Sequence, residues 1–327
     1  MARRRAAQAA SKKVVYAALA GNLAIAVTKF IAAAMTGSAA MFSEGVHSTV
    51  DSGNELLLLY GLRRSNAPPD HSHPLGYGRE LYFWSFVVAL LVFAVGAGVS
   101  MVQGIARLVS PEPIDRPMIA YVVLAISFVF EAASWCVAYR EFFATKGHLG
   151  FFEAVRISKD PSMFTVLLED TAALLGLTVA FCGLLAAQIF SAPRFDGAAS
   201  VGIGLILGAT AMLLARETKA LLIGEEAHPH VQAAVLRIAA ADPGVDHANG
   251  VITAQMGPAR VFAALSAEFH DGQTTREIET CINRIEAAVK AEHPEITSLF
   301  VKPQTAGTWA RRNARLDTDA AIDSAVH

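Results

Sequence analysis

Apolar runs of bilayer-crossing length, separated by short polar segments, fill the first two-thirds of the chain. They predict six membrane helices, over 14–36, 38–61, 81–105, 118–138, 162–190 and 198–214. Past residue 224 the period changes. A helical stretch over 230–241 runs into the turn Asp242-Pro243-Gly244, and β-rich segments over 250–256 and 261–269 meet at Gly257-Pro258. Next comes a helix over 274–292, with Ile278, Cys281, Ile282, Ile285, Ala288 and Val289 on one side, and then a strand over 296–301. An α-β-β-α-β order over about 75 residues is enough for one small core. The expected organisation is a cytoplasmic N-terminus (1–13), a six-helix membrane domain (14–224), a soluble α+β domain (225–304) and a disordered polar tail (305–327).

Composition agrees with the pattern: 54% of residues are apolar and 17% charged, too few charges for an ordinary soluble domain of 327 residues. Lys and Arg crowd one set of loops (Arg3, Arg4, Arg5, Lys12, Lys13, Arg63, Arg64, Arg79, Arg140, Lys146, Arg156, Lys159, Arg216, Lys219). The other set has only Arg107, Arg116 and Arg194. This bias puts both termini in the cytoplasm and suits a multi-pass protein of the cell's inner membrane. The first apolar run is longer than a signal-peptide core, so it reads as an uncleaved helix. Cys136, Cys182 and Cys281 are odd in number and widely spaced, so no disulfide framework follows. Arg311, Arg312 and Arg315 are balanced by Asp317, Asp319 and Asp323, and no nucleic-acid partner is expected.

The chemistry lies in the second run. Glu44, His47, Asp51 and Glu55 fall on one side of a helix, an acceptor stripe that has no place in a bilayer without a task. An imidazole and a carboxylate at i and i+4 can both reach one divalent ion, zinc being the natural first choice. Two ligands leave a tetrahedral ion incomplete, and the fifth run offers the adjacent acids Glu169 and Asp170. Lys29 in the first run can pair with an acidic residue of the stripe or snorkel to an interface, and Glu131 in the fourth is available for helix pairing or proton transfer. Asp70, His71 and His73, in the loop after the second run, form a possible second metal site or an ordered turn, while Glu225, Glu226, His228 and His230 could hold metal but read first as solvated surface.

Three parts of the chain together resemble the cation diffusion facilitator family of metal/proton antiporters. They are the segment from Gly37 through Met41, Glu44 and His47 to Asp51, the loop His73-Pro-Leu-Gly-Tyr-Gly-Arg-Glu80, and the order of spans and α+β domain. The resemblance implies six transmembrane helices with a C-terminal cytoplasmic ferredoxin-like domain, assembled as a homodimer. Two ligands on the second helix match His47 and Asp51. Of the two expected on the fifth helix, Asp170 matches, but Val166 stands where a histidine is common. The segment Leu-Leu-Glu169-Asp170-Thr-Ala looks like the branch that includes mitochondrial zinc carriers, with Glu169, Glu44 or water completing the shell. Asp70 and His73 partly match a loop metal site of some members, with Tyr77 at a position that can be histidine. The bridging histidines of some soluble domains are absent, Asn249 lying near one such position.

The expected function is efflux of a divalent cation by alternating access: zinc first, with iron, manganese or cobalt as alternatives, and H+ as the coupling ion. A membrane-anchored metal sensor is a second reading. An intramembrane metal-dependent hydrolase is a third, but the chain has no HExxH or serine-nucleophile motif, so the protein reads as no enzyme and needs no resident cofactor.

Overall fold

The computed structural model describes residues 22–146, 154–155, 158–312 and 314. The predicted N-terminal segment 1–13, the first third of the first run (14–21) and most of the tail lie outside them. The described residues divide into two compact units, one of those up to 64 and within 80–219, the other of those within 65–79 and from 220 on.

The first unit is a helical bundle. Helix α1 (Asn22–Thr36) ends at Gly37, whose φ of +68° is the left-handed turn that glycine adopts without a Cβ penalty, and Gly37 N–H closes onto the Ala33 carbonyl at 2.8 Å. Ser38 then caps α2 (Ala39–Ser65), its Oγ accepting from Met41 N–H at 3.1 Å. Helix α3 (Arg79–Val109) contains a π-helical stretch, Val92–Ala97. Helix α4 (Pro117–Lys146) and helix α5 (Pro161–Ile189) follow, the latter started by Pro161 and by Asp160, whose carboxylate accepts from Ser162 N–H. Helix α6 (Arg194–Ile223) completes the unit.

Four of these helices, Arg79–Val109, Pro117–Arg140, Phe164–Ile189 and Arg194–Ile223, are long and apolar enough to cross a membrane. α1 is shorter among the described residues. α2 has the length, but its acceptors and serines make it too polar to qualify by hydropathy alone. Buried side chains such as Met41, Leu124, Leu177, Leu184, Ile203 and Leu207 form the bundle core. The outer faces carry Val102, Val129 and Leu205 at more than 60% exposure. Such surface is costly in water and is at home in lipid, so the chain is an integral membrane protein. α3 and α6 approach so closely that a Cβ on Gly104 would lie 2.6 Å from the Val201 backbone nitrogen.

The second unit has the predicted α-β-β-α-β order: α7 (Pro229–Ala240), β1 (Val245–Gly257), β2 (Arg260–Phe269), α8 (Thr275–Glu292) and β3 (Ile296–Pro303). β1 and β2 pair antiparallel, β2 and β3 parallel, and α8 makes the crossover. Both helices pack on the sheet through Val231, Val235, Ala263, Leu265, Cys281, Ile285 and Leu299, giving an α+β ferredoxin-like layout. α8 begins at a reciprocal capping box between Thr274 and Glu277, and those hydrogen bonds hold the Glu277 carboxyl below its usual range. The loop over 65–79 belongs to this unit, with Gly78 so close to the hairpin that a Cβ there would be 2.1 Å from the Met256 carbonyl oxygen.

Part of the tail departs from the sequence expectation. Residues 306–312 are helical: Thr305 and Thr308 cap the turn, Ala306 N–H donates to Glu268, and the Trp309 ring lies against Gly250 on β1. One tryptophan placed over a glycine gives this segment an anchor that its polar composition conceals.

A polar clamp closes the second core. Asp242 accepts from Arg284 Nε and Nη2 at 3.0 and 2.7 Å, from Gly244 N–H at 2.9 Å and from the Cys281 thiol. The Arg284 hydrogen bonds hold Asp242 down to about 2, and burial pushes the Cys281 thiol up to about 11. A carboxyl depressed on folding stabilises fully above its unfolded value of 3.8 and stops doing so as the pH falls through about 2. Asp242→Asn is therefore expected to destabilise this unit by about 1–2 kcal/mol at pH 7. The difference should shrink between pH 4 and pH 2, as read by the reaction of the buried Cys281 under mild denaturant with a dithiodipyridine, a thiol reagent that protonation activates at acid pH.

Candidate metal centre

The acceptor stripe lies inside the bundle, and the capping of α2 fixes its height. Asp196 of α6, itself buried, accepts from Ser38 Oγ and Ala39 N–H, tying the start of α2 to α6. Ser43 and Ser200 make a second tie at 2.7 Å. From that anchored end, Glu44, His47, Asp51 and Asn54 follow at helical spacing.

His47 is buried and its Nδ1 is 3.2 Å from Asp51 Oδ1. This is ion-pair range without hydrogen-bond alignment, so both imidazole nitrogens and Asp51 Oδ1 are buried with no hydrogen-bond partner. Buried polar atoms are almost always satisfied. Two orphaned nitrogens beside an orphaned carboxylate oxygen make a donor set in need of a cation, and its chemistry suits a borderline transition metal.

The fifth-run carboxylates point to different helices. Glu169 is buried and accepts from Asn54 Nδ2 at 2.7 Å, which joins α5 to α2, with Asp51, Asp170 and Glu55 as its charged neighbours. Asp170 is half-buried and accepts from Ser134 of α4 at 2.9 Å. Glu55 accepts from Asn22 of α1 at 2.7 Å, and Glu131 of α4 is half-buried in the same region. Glu44 is paired with Lys29 at 3.0 Å, both fully buried. Among the described residues no three His, Cys, Asp or Glu side chains stand together as a preassembled metal group. What the fold brings together is the His47–Asp51 pair, with Glu169 linked to the same helix through Asn54.

Asn54 escaped the sequence reading because an amide carries no charge in a hydropathy pattern. Its signal was position, three residues past Asp51 and seven past His47, on the stripe's own face. Serines 38, 134 and 200 and Asn22 were hidden in the same way.

In the loop, Asp70 accepts from Ser72 N–H, His73 N–H and Tyr77 O–H, an Asx-type turn, with His73 Nδ1 3.6 Å away. The Tyr77 hydrogen bond leads the causes that hold the Asp70 carboxyl below its usual range. Both side chains are about half exposed, as an ordered turn requires, and His71 is also exposed.

Comparison with known proteins places this geometry in context. Residues 15–223 match the cation efflux transmembrane domain. The chain is 34% identical over 292 residues to the mitochondrial proton-coupled zinc antiporter SLC30A9 of Xenopus laevis, covering 86% of this chain and 52% of that protein. It is 31% identical over 250 residues to metal tolerance protein C4 of Arabidopsis thaliana, covering 76% and 55%. The chain thus spans about half the length of these curated relatives. A nickel form of a MamM C-terminal domain is similar at 20% identity, covering 24% of this chain and 98% of that domain with a TM-score of 0.23.

Proposed function

The chain belongs to the cation efflux family, and we propose that it exports a divalent metal ion, zinc foremost, in exchange for protons. One observation carries this reading: the buried His47 nitrogens, without a hydrogen-bond partner, beside Asp51 inside a bundle of apolar helices. Glu169 and Asp170 are proposed to complete the shell from α5, with Glu169 already tied to α2 by Asn54. Val166, one turn before Asp170, contributes no donor, so oxygen ligands outnumber nitrogen at this site. That favours ions that accept mixed shells, and iron, manganese and cobalt are the competitors to test.

Ligation needs a neutral imidazole and ionised carboxylates, so metal arriving from the cytoplasm displaces protons from His47 and the acids. When the site opens to the other side, protons compete for the same groups and release the ion. Both termini and the second unit are proposed to lie on the cytoplasmic face of the cell's inner membrane. The sheet's outer face carries Phe262 and the exposed Phe300 with ring centroids 5.6 Å apart, an apolar pair suited to a homodimer contact.

The test is uptake of zinc, iron, manganese and cobalt into proteoliposomes holding an internal pH dye. Metal-dependent proton movement supports antiport. Metal binding without net transport would instead make the protein a sensor.

A further inference from the structure

A cation is already lodged among the acceptors of α2. Lys29 reaches across from α1 and is wholly enclosed, its Nζ donating to Glu44 Oε2 at 3.0 Å and to Ser48 Oγ at 2.7 Å. Glu44 is equally enclosed. Its other oxygen, Oε1, has no hydrogen-bond partner and is turned to Gly176 of α5, where a Cβ would lie 2.5 Å from it. Glu44 precedes His47 by three residues and Ser48 follows it by one, so the ammonium sits on the stripe toward the Gly37 end of α2. Glu44 and Lys29 are both charged neighbours of His47.

A carboxylate and a hydroxyl beside an imidazole are acceptors that a divalent ion would use. The lysine ammonium satisfies them with a single charge and, being tethered, cannot diffuse away. Removal of either partner would leave an uncompensated charge of known sign beside His47 in surroundings that screen it poorly.

We propose that Lys29 is a tethered counter-cation that fills the Glu44–Ser48 acceptors and confines the transported ion to the His47–Asp51 end of the stripe. It is a positioning and specificity residue rather than a ligand, and the inference rests on the reading of His47 and Asp51 as the transport site. Gly176 faces the same carboxylate, and a Cβ there would oblige Glu44 Oε1 to shift.

Zinc titration of the full chain in detergent, against a chromophoric chelator, tests the idea, with proteoliposome uptake run in parallel. Glu44→Gln leaves the ammonium without a counter-charge next to His47 and is expected to weaken zinc binding at least about tenfold, as like charges brought together do. Lys29→Met frees Glu44 and should add one zinc ion per chain to the parent's stoichiometry. Lys29→Met combined with Glu44→Gln removes both charges and should restore the parent's stoichiometry and nearly its affinity. Parent-like stoichiometry in a folded Lys29→Met chain overturns the proposal. Where that variant aggregates on size exclusion, equal zinc affinities for Glu44→Gln and the neutral double variant overturn it instead. A parent chain that neither binds nor moves zinc overturns the transport reading and this inference together, whereas an active parent with unaltered variants overturns this inference alone.

Discussion

His47→Ala is expected to lower zinc uptake into proteoliposomes by about 100-fold or more, beyond the 10- to 100-fold that losing an outer partner of a metal ligand costs. The imidazole supplies the one nitrogen donor on the stripe, and its two nitrogens are buried with no hydrogen-bond partner. Asp51→Asn keeps the shape and removes a charge, so it should lose both metal affinity and the capacity to carry a proton. Metal-dependent proton flux is therefore expected to fall with metal flux. Full proton flux from Asp51→Asn would rule out His47–Asp51 as the coupling site. Leu56→Ala on the lipid-exposed face of the same helix serves as the control and should change uptake by less than about twofold, since surface substitutions away from such features shift energies little.

The apolar runs made the spans legible because a bilayer imposes both length and composition. They also made the stripe legible, since charges in such runs stand out. In the second unit, period and turn residues gave the strand and helix order, and the hairpin at Gly257-Pro258 falls where it was expected. That Lys29 could pair with an acid of the stripe was legible, but which acid was not. Glu44 reads as a metal ligand in one dimension, and only in three does Lys29, fifteen residues earlier, claim its carboxylate. Glu169 and Asp170 are adjacent in sequence, yet about 100° of helical rotation sends one to α2 and the other to α4. Trp309 shows the same limit, because a single ring seated on a glycine leaves no periodic trace.

The link between Asn54 and Glu169 yields the second large effect. Glu169→Gln removes a buried carboxyl group facing α2 and is expected to reduce zinc uptake about 100-fold, as loss of a ligand should. Asn54→Ala leaves that group but frees it from the amide that orients it, which should cost about tenfold. If the amide acts only through Glu169, the double variant will be no worse than Glu169→Gln alone, a departure from additivity that a double-mutant cycle measures directly. Asp170→Asn combined with Asn54→Ala should behave differently. Asp170 takes its hydrogen bond from Ser134 on α4, so their losses are expected to multiply. Multiplying losses in the Asn54–Glu169 pair would mean that the amide serves some other group, and Glu169 would then have no structural claim to the missing fourth position. A non-additive Asn54–Asp170 pair would instead make Asp170 the carboxylate that turns toward α2 once the ion is bound, with Ser134 as its resting partner.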